Sequence, residues 1–250
     1  MGRGLTKASI VAASLGLLDE VGLDGLTVRA VAGRLGVQAP ALYWHVRSKQ
    51  DLLDEMATEI WRRIGAELTV LPPDFPWRQG MIAFATITRR TLLAHRDGAK
   101  VFSGTNLADA AVLESREAAL AAMIAHGFTA ADVVRAYSLL YNFTIGFCIE
   151  EQAVAQAAAG GDDRYSRSRG TAPLDEEAQP LTVRAGQEIA ADPDGRFDDL
   201  VAVIIETTDR MRASPLRSAA RVAAATAAAA ARQRRQAAAG PEARPGLRPR

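Results

Sequence analysis

The sequence predicts an all-α protein, with a three-helix head of the helix-turn-helix type at its N-terminus and a larger helical domain behind it. Apolar residues recur every three or four positions through most of the first 212 residues, as on the buried face of a helix. Glycines and prolines interrupt this pattern and mark the ends of helices. In the head, a glycine turn joins two short helices, which is the helix-turn-helix geometry.

The two short helices lie between residues 27 and 46. Thr27 can cap the first helix, because its hydroxyl can accept a hydrogen bond from an unpaired N–H group there. Gly36 follows the last apolar residue of that helix and allows the left-handed turn that larger residues resist. Pro40 falls in the first turn of the second helix, where its missing N–H costs nothing. The second helix is therefore free to present a polar face, and a helix of this width fits the major groove of DNA.

The charge of this region favours contact with DNA. From Gly25 to Gln50 there is no acidic residue, and the basic residues give a local charge of +4: they are Arg29, Arg34, Arg47 and Lys49. With Leu42 and Val46 facing inward, the periodicity turns Gln38, Ala41, Tyr43 and His45 outward. A helical hairpin that only packs would explain the spacing but not the one-sided charge, so DNA binding is the favoured interpretation.

Charge is unevenly distributed along the rest of the chain, whose formal net charge is +1. Residues 66–212 carry fourteen basic and twenty-one acidic residues, and residues 213–250 carry eight basic and one acidic residue. An acidic middle is a poor surface for DNA, so we expect DNA binding to be confined to the head. A single cysteine, the absence of a signal-peptide pattern and the absence of a long apolar run indicate a soluble cytoplasmic protein.

The remaining elements follow in order. Residues 6–22 predict a helix that Gly22 ends, and Ser48 caps a fourth helix with Asp51 as its capping-box partner. That fourth helix is longer than a head needs, so we expect it to connect the head to the next domain. Three prolines in residues 71–77 then break the chain. We therefore expect a DNA-binding domain with the start of the connecting helix at 1–66 and an effector-binding and dimerisation domain at 67–212.

The second domain predicts helices over 78–95 and 108–125, with a short segment at 99–105 between them. Thr129 caps a long helix to about Ala157 that is apolar on more than one face, which indicates burial against a second copy of the chain. Residues 159–180 are interpreted as a mobile loop, 182–191 as a short helix and 192–195 as a turn. A last amphipathic helix over 197–212, paired with the long helix and repeated by a two-fold axis, would form a four-helix bundle at a homodimer interface. The Ala/Arg-rich residues 213–250 are expected to be a disordered tail.

Several stretches closely resemble the TetR family of bacterial regulators, in particular its tetracycline-repressor-type branch. They are LGVQAPALYWHVRSKQDLLDEMA in the head, HRDGAKV at 95–101, HGF at 126–128 and FTIGFCIEEQ at 143–152. The resemblance extends from about Leu5 to Met211. It implies an all-α homodimer, with each head placing one recognition helix in the major groove of a palindromic operator.

The resemblance also implies which residues contact DNA. Arg29 would reach a guanine edge, to which an arginine can donate two hydrogen bonds. Contacts to bases or nearby phosphates would come from Gln38, Pro40, Tyr43 and His45, and phosphate contacts from Thr27 and Lys49. Ala39 and Ala41 stand where the branch has larger polar residues, so the operator should differ at the positions they would read.

The implied effector site departs from the branch pattern. Phe102 stands where a histidine ligates the magnesium ion carried by the drug, and Gly65 stands where a histidine holds the drug itself. Other drug contacts are replaced by Phe84, Thr88, Ala119 and Asn142, whereas Thr105 and Glu150 match. Losing a metal ligand and several drug contacts should weaken binding strongly. We therefore expect an effector other than magnesium–tetracycline.

Two points about this site stay open at the level of sequence. Phe84, Phe102, Tyr137 and Phe147 could line a larger and more apolar pocket, or could equally be ordinary core residues. Glu150 could contact the ligand, or could pair with an arginine across the dimer, since a carboxylate on an apolar helix is costly unless it is paired.

The sequence leaves more than one function open. The favoured one is a repressor that a small molecule releases from its operator; a true tetracycline-responsive repressor and a DNA-binding regulator without a small-molecule effector are the alternatives. An enzyme using His95, His126, Glu150 and Glu151 is disfavoured, because the sequence has neither a metal-ligand spacing nor a phosphate-binding glycine loop. We accordingly expect no catalytic residue, no metal site and no cofactor.

Overall fold

The computed structural model describes residues 5–72, 75–105, 109–161 and 177–213, and within these ranges the chain is helical and contains no strand. This confirms the all-α fold. The helices are α1 Lys7–Gly25, α2 Val28–Arg34, α3 Ala39–Tyr43, α4 Lys49–Leu68, α5 Trp77–Leu93, α6 Gly98–Phe102, α7 Ala110–Ala125, α8 Ala130–Ala159, α9 Pro180–Ala191 and α10 Pro193–Ala213. None of the helices in the described ranges is long and apolar enough to cross a membrane.

The head consists of α1, α2, α3 and the first turns of α4, packed around a small apolar core. The predicted cap of α2 is confirmed, since the Thr27 side chain accepts a hydrogen bond from the Ala30 N–H at 3.1 Å. Gly36 has a φ of 66°, the left-handed conformation that the sequence predicted for the turn between the two short helices. Gly22 also has a positive φ, of 71°, but it interrupts α1 rather than ending it, because a further helical segment continues to Gly25.

The connecting helix α4 packs against both parts of the molecule. Its apolar stripe is fully buried and consists of Leu52, Met56, Ile60 and Ile64. The helix contacts α1 in the head and α5, α6 and α7 beyond it. Its cap differs in one detail from the prediction: Ser48 accepts from the Asp51 N–H at 3.0 Å, but the Asp51 carboxylate accepts from the Arg47 N–H at 2.8 Å, so it does not close the capping box.

Beyond the head, α5, α8 and α10 form the main packing layer. Arg89 on α5 joins all three helices, because its guanidinium donates to Glu151 on α8 at 2.7 Å and to Asp194 on α10 at 2.6 Å. The same guanidinium lies over the Phe197 ring at 4.8 Å. These contacts align the end of α5 with the end of α8 and the start of α10.

The interpretation of residues 192–195 as a turn is wrong. The helix α10 begins at Pro193, and the Asp192 side chain accepts from the Gly195 N–H at 3.0 Å. Asp192 thus caps the helix and Pro193 occupies its first turn, where proline is well tolerated. The helices α8 and α9 extend to Ala159 and from Pro180, so both reach slightly into the predicted loop 159–180. Most of that loop, 162–176, and the tail from 214 onward lie outside the described residues.

Candidate DNA-binding and effector sites

The helix α3 presents an exposed aromatic and polar surface at the end of the head. Leu42 is fully buried beneath it, whereas Tyr43 is 51% exposed and Trp44 is 90% exposed. Gln38 and Pro40 are also exposed, and His45 is half-buried. A solvated surface that displays two aromatic rings without covering them is unusual for a soluble domain and indicates a contact surface.

The cations near this surface differ in whether they have a hydrogen-bond or ion-pair partner. Arg34 pairs with Glu20 at 2.7 Å, and the Lys49 ammonium donates to the Leu23 carbonyl at 3.1 Å. Arg29, on the exposed face of α2, has no hydrogen-bond or ion-pair partner among the described residues. The hydroxyl of Thr27 already serves as the cap of α2, which leaves its proton free to donate. Arg29 is therefore the cation whose donors are most available to a ligand.

Sequence reasoning missed Trp44. It is the most exposed of the large apolar side chains that the structure describes. It lies between Tyr43 and His45, which the sequence analysis assigns to DNA contact. The signal that could have found it is the short length of α3: the helix ends at Tyr43, so Trp44 falls in the turn after the helix rather than on the buried side of a longer one.

The head is hydrogen-bonded to the segment that follows α5. The His95 imidazole lies 3.0 Å from the Asp19 carboxylate on α1, and the Arg96 N–H donates to the same carboxylate at 3.0 Å. Asp97 accepts from the Leu23 N–H at 3.0 Å. We call these contacts, made by residues 95–97 with α1, the head–core contact.

Asp97 is the buried centre of the head–core contact. It is 5% exposed, and its carboxylate also accepts from Lys100 at 2.9 Å and from Gln156 at 3.2 Å. Burial raises the pKa of Asp97, but the hydrogen bonds from Lys100, the Leu23 N–H and Gln156 outweigh burial and hold that pKa below its ordinary value. The carboxylate therefore stays ionised and fixes the start of α6 against α1.

A cavity of about 550 Å³ lies between the end of α4, the start of α5, α7 and the start of α8. Two of the predicted effector residues, Phe84 and Ala119, line it. Tyr137, named as a possible lining residue, also lines it and meets Phe84 edge to face, with ring centroids 5.4 Å apart. The size is within the range of ordinary ligand pockets, which is roughly 300–1,000 Å³.

Phe102 lies deeper, in an aromatic cluster beside the cavity. Its ring is 1% exposed and stacks on Trp61 at 5.7 Å. Trp61 in turn meets Phe84 at 6.1 Å and Tyr141 at 6.3 Å. Phe102 is thus a core residue in this chain. Phe147 is also part of the packing, since it contacts Phe143 and Phe197 between α8 and α10.

The other predicted effector residues do not line this cavity. Thr105 is half-buried, and its hydroxyl donates to the Phe102 carbonyl at 2.9 Å. Asn142 and Glu150 are exposed on α8. An exposed carboxylate needs no partner within the protomer, so the cost expected for Glu150 is absent here; it is the neighbouring Glu151 that pairs with Arg89.

Among the described residues, three buried polar atoms have no hydrogen-bond partner: the indole nitrogen of Trp61 and the hydroxyl oxygens of Thr88 and Thr144. Thr88, a predicted effector residue, is fully buried one helical turn beyond Phe84 on α5. Buried polar atoms without partners are costly, so such atoms are often satisfied by water or a ligand.

The residues of the enzyme hypothesis are not assembled into a cluster. His95 belongs to the head–core contact, and the Nδ1 atom of His126 lies 2.9 Å from the Ala122 carbonyl at the end of α7. Within the described ranges, no group of three or more His, Cys, Asp or Glu side chains has a geometry that could hold a metal ion. Cys148 is buried, and burial raises the pKa of its thiol to about 12, so the thiol is not a reactive group.

Known families match nearly all of the chain before the tail. Residues 10–56 match the bacterial regulatory proteins of the tetR family, and residues 71–207 match the tetracyclin repressor-like C-terminal domain. These matches are to families of transcriptional regulators, which are not enzymes.

Relatives of known name agree with these family matches. The tetracycline repressor protein class A from transposon 1721 of Escherichia coli is 38% identical over 212 residues, which cover 83% of this chain and 92% of that protein. The class C repressor of Escherichia coli is 37% identical over 209 residues, with the same coverage of each chain.

Solved structures show the same architecture. A possible TetR family transcriptional regulator from Streptomyces coelicolor A3(2) superimposes with a TM-score of 0.71 at 31% identity, covering 83% of this chain and all of that one. The class A tetracycline repressor in complex with 5a,6-anhydrotetracycline and magnesium has a TM-score of 0.62 at 33% identity, covering 82% of this chain and 99% of that one.

Proposed function

This chain belongs to the TetR family of bacterial transcriptional repressors, and from that premise we propose that a small-molecule effector releases it from a palindromic operator. The observation that supports this most directly is the pairing of an exposed α3 surface with a head that is hydrogen-bonded to the effector-binding part of the chain. A change in the position of α6 would be transmitted to α1 by those bonds. We retain the division expected from the sequence, with the head at 1–66, the effector-binding domain at 67–212 and the tail at 213–250.

For DNA binding, we propose that α3 enters the major groove. Arg29 would donate to a guanine edge, and base or phosphate contacts would come from Gln38, Pro40, Tyr43 and His45. Thr27 and Lys49 would bind phosphates. Because alanine at positions 39 and 41 cannot donate a hydrogen bond to a base, the operator should differ from those of the tetracycline repressors at the positions that those side chains face.

We propose that the chain forms a homodimer through α8 and α10, which would match the symmetry of a palindromic operator. Both helices leave large apolar side chains exposed in the single chain, notably Val134, Leu139, Leu200 and Val203. Packing these faces against a second copy would give a four-helix bundle. Two heads related by a two-fold axis read a palindrome, because each head meets the same half-site.

We propose that magnesium–tetracycline is not the natural effector. The Phe102 side chain has no atom that can ligate a metal ion, and its ring is packed against Trp61. A tetracycline-responsive repressor remains the second candidate, because relatives at 38% and 37% identity are named tetracycline repressors.

Fluorescence anisotropy tests both candidates. The full-length protein would be titrated onto labelled DNA from the region upstream of its own gene, with and without magnesium–tetracycline. The proposal expects a complex that forms and ignores the drug. Release at micromolar drug would favour the second candidate, and failure to bind this or any palindrome selected from random sequence would overturn the repressor assignment.

A further inference from the structure

The cavity beside α7 differs in position and chemistry from the effector site that the resemblance implies. It reaches Phe75 in the segment before α5 and Trp77 at the start of α5, and of the implied residues only Phe84 and Ala119 contribute to its wall. Thr88, Phe102, Thr105, Asn142 and Glu150 are not part of that wall.

The cavity exists because small residues stand where two helices face each other. Gly80 on α5 and a row of alanines on α7, including Ala119 and Ala122, line it. A Cβ atom added at Gly80 would meet no atom within 4 Å, so the space beside that glycine is open. Larger side chains at these positions would fill the space, as they do in close-packed protein interiors.

The described part of the cavity wall is predominantly apolar. None of the described residues that line it is charged, and the aromatic rings of Phe75, Trp77, Phe84 and Tyr137 supply much of its surface. An ionised ligand would lose its hydration there without gaining a counter-charge, which costs far more than burying a neutral group. A metal ion would find no carboxylate, imidazole or thiolate among the described lining residues.

The Tyr137 hydroxyl is a polar group on the described wall that is available to a ligand. The Tyr137 hydroxyl has no hydrogen bond to any residue that the structure describes, and burial raises the pKa of Tyr137 to about 12. The phenol therefore keeps its proton at neutral pH and can act as a donor. The other hydroxyl of the wall, that of Thr69, already donates to the Ala66 carbonyl at 2.9 Å.

We propose that this cavity binds a neutral, predominantly apolar small molecule without a metal ion, and that the Tyr137 hydroxyl donates to a single carbonyl or ether oxygen of that molecule. The inference rests on the proposed function in one respect, since it identifies this molecule with the effector. The site itself is tested without DNA.

The test uses two dyes and the full-length protein. Nile red is a neutral apolar dye with a ring carbonyl, and anilinonaphthalene sulfonate is an anionic dye of similar size. Titrating each dye and following its fluorescence should give saturable binding of Nile red, with the anionic dye at least about tenfold weaker. Binding of the anionic dye with equal or greater affinity, or no saturable binding of Nile red, would overturn the proposal.

Two variants locate the site. Gly80→Leu should fill the cavity and lower Nile red affinity at least about tenfold, while leaving the helix intact because leucine favours helix more than glycine does. Gly186→Leu is its control, since Gly186 on α9 also has open space and does not line the cavity. Tyr137→Phe should weaken binding by about three- to tenfold through the lost hydrogen bond, and Tyr141→Phe, on the same helix outside the wall, should not. Equal affinity of Gly80→Leu and wild type would place the dye elsewhere and contradict the proposal.

Adding Nile red to the protein–DNA complex separates this inference from the proposed function. Binding with release of DNA supports both. Binding to the cavity without release supports the site but contradicts its role as the effector site, and a protein that binds the dye yet no DNA contradicts the repressor assignment alone.

Discussion

Arg29 differs from its cationic neighbours because no described residue accepts its hydrogen bonds. Arg34, Arg47 and Lys49 each have a partner within the head. An exposed guanidinium without an ion-pair partner among the described residues contributes little to folding. We therefore expect Arg29 to act through contacts outside the chain.

Variants of Arg29 distinguish its contact with a base from the effect of its charge on operator affinity. Arg29→Ala should cost about 1–3 kcal/mol of operator affinity and relax the preference for one base pair. Arg29→Lys keeps the charge but not the planar fork, so it should restore part of the affinity and none of the base preference. Anisotropy titrations on operators altered at each position measure both quantities. An alanine variant with the wild-type base preference would mean that Arg29 contacts only phosphate.

Asp97 should make stability depend on pH. Because its pKa is lowered in the folded state, ionised Asp97 stabilises the fold above the unfolded pKa of about 4, and this contribution is lost as the pH falls through the lowered folded pKa. Asp97→Ala also leaves the Leu23 N–H without its acceptor, so at pH 7 it should lower the free energy of unfolding by about 1–3 kcal/mol.

Urea denaturation at pH 7, 5 and 3.5 measures this dependence. The difference in unfolding free energy between wild type and Asp97→Ala should be largest at pH 7 and should shrink at the lowest pH. Asp24→Ala, which removes an exposed carboxylate from the same helix that Asp97 contacts, serves as the control and should change little. A difference that stays constant with pH would show that the neutral side chain, rather than its charge, stabilises the contact.

At the scale of helices, local sequence predicted most of the fold. Thr27, Ser48 and Thr129 cap their helices as expected, because a cap depends on residues within one turn. The sequence did not predict the start of α10, because the local sequence Asp-Pro-Asp-Gly suits a turn and a helix start equally well. The choice between them is made by packing, since buried Phe197 and the contact of Asp194 with Arg89 hold the first turn of α10 against α5 and α8.

Contacts between distant helices could not be predicted in the same way. The sequence pattern assigns no role to Gln152, which is 6% exposed and accepts from the Ala99 N–H at 3.2 Å. Its amide nitrogen donates to the Leu92 and His95 carbonyls, at 3.1 and 2.7 Å. From the sequence we expect only that the effector pocket is more apolar than in the tetracycline-repressor branch. The position of the cavity could not be predicted, because the space beside Gly80 exists only once α5 and α7 have packed.

Gln152 should therefore be important for joining α5, α6 and α8. Gln152→Leu keeps the approximate size but leaves the Ala99 N–H without its acceptor. The Leu92 and His95 carbonyls each lose one donor but still accept from the His95 and Gly98 N–H groups, so we expect a loss of about 1–3 kcal/mol in the free energy of unfolding. Gln50→Leu on the surface of α4 is the matched control and should change stability by less than about 0.5 kcal/mol. Thermal and urea denaturation of both variants measures the difference. Equal stability of the two variants would mean that water replaces the amide without cost.

For the whole molecule, the decisive feature is the apolar surface that α8 and α10 leave exposed. Val203 is 57% exposed on α10, between the buried residues Val201 and Ile204. A helix that is apolar on both its buried and its exposed side is expected to be covered on both. A second copy of the same chain is the occupant that also agrees with the palindromic operator we propose.

Val203→Glu should separate the dimer, because it would place two like charges in an apolar interface related by a two-fold axis. Sedimentation velocity should then show a monomer. Affinity for the full operator should fall toward that for a half-site, since each head loses the high effective concentration that its partner provides. Ile82→Glu is the control, because Ile82 on α5 is 47% exposed and is not on the proposed interface. If Val203→Glu stays dimeric and binds the operator as wild type does, the two heads must be joined through another surface, and the apolar face of α10 needs a different partner.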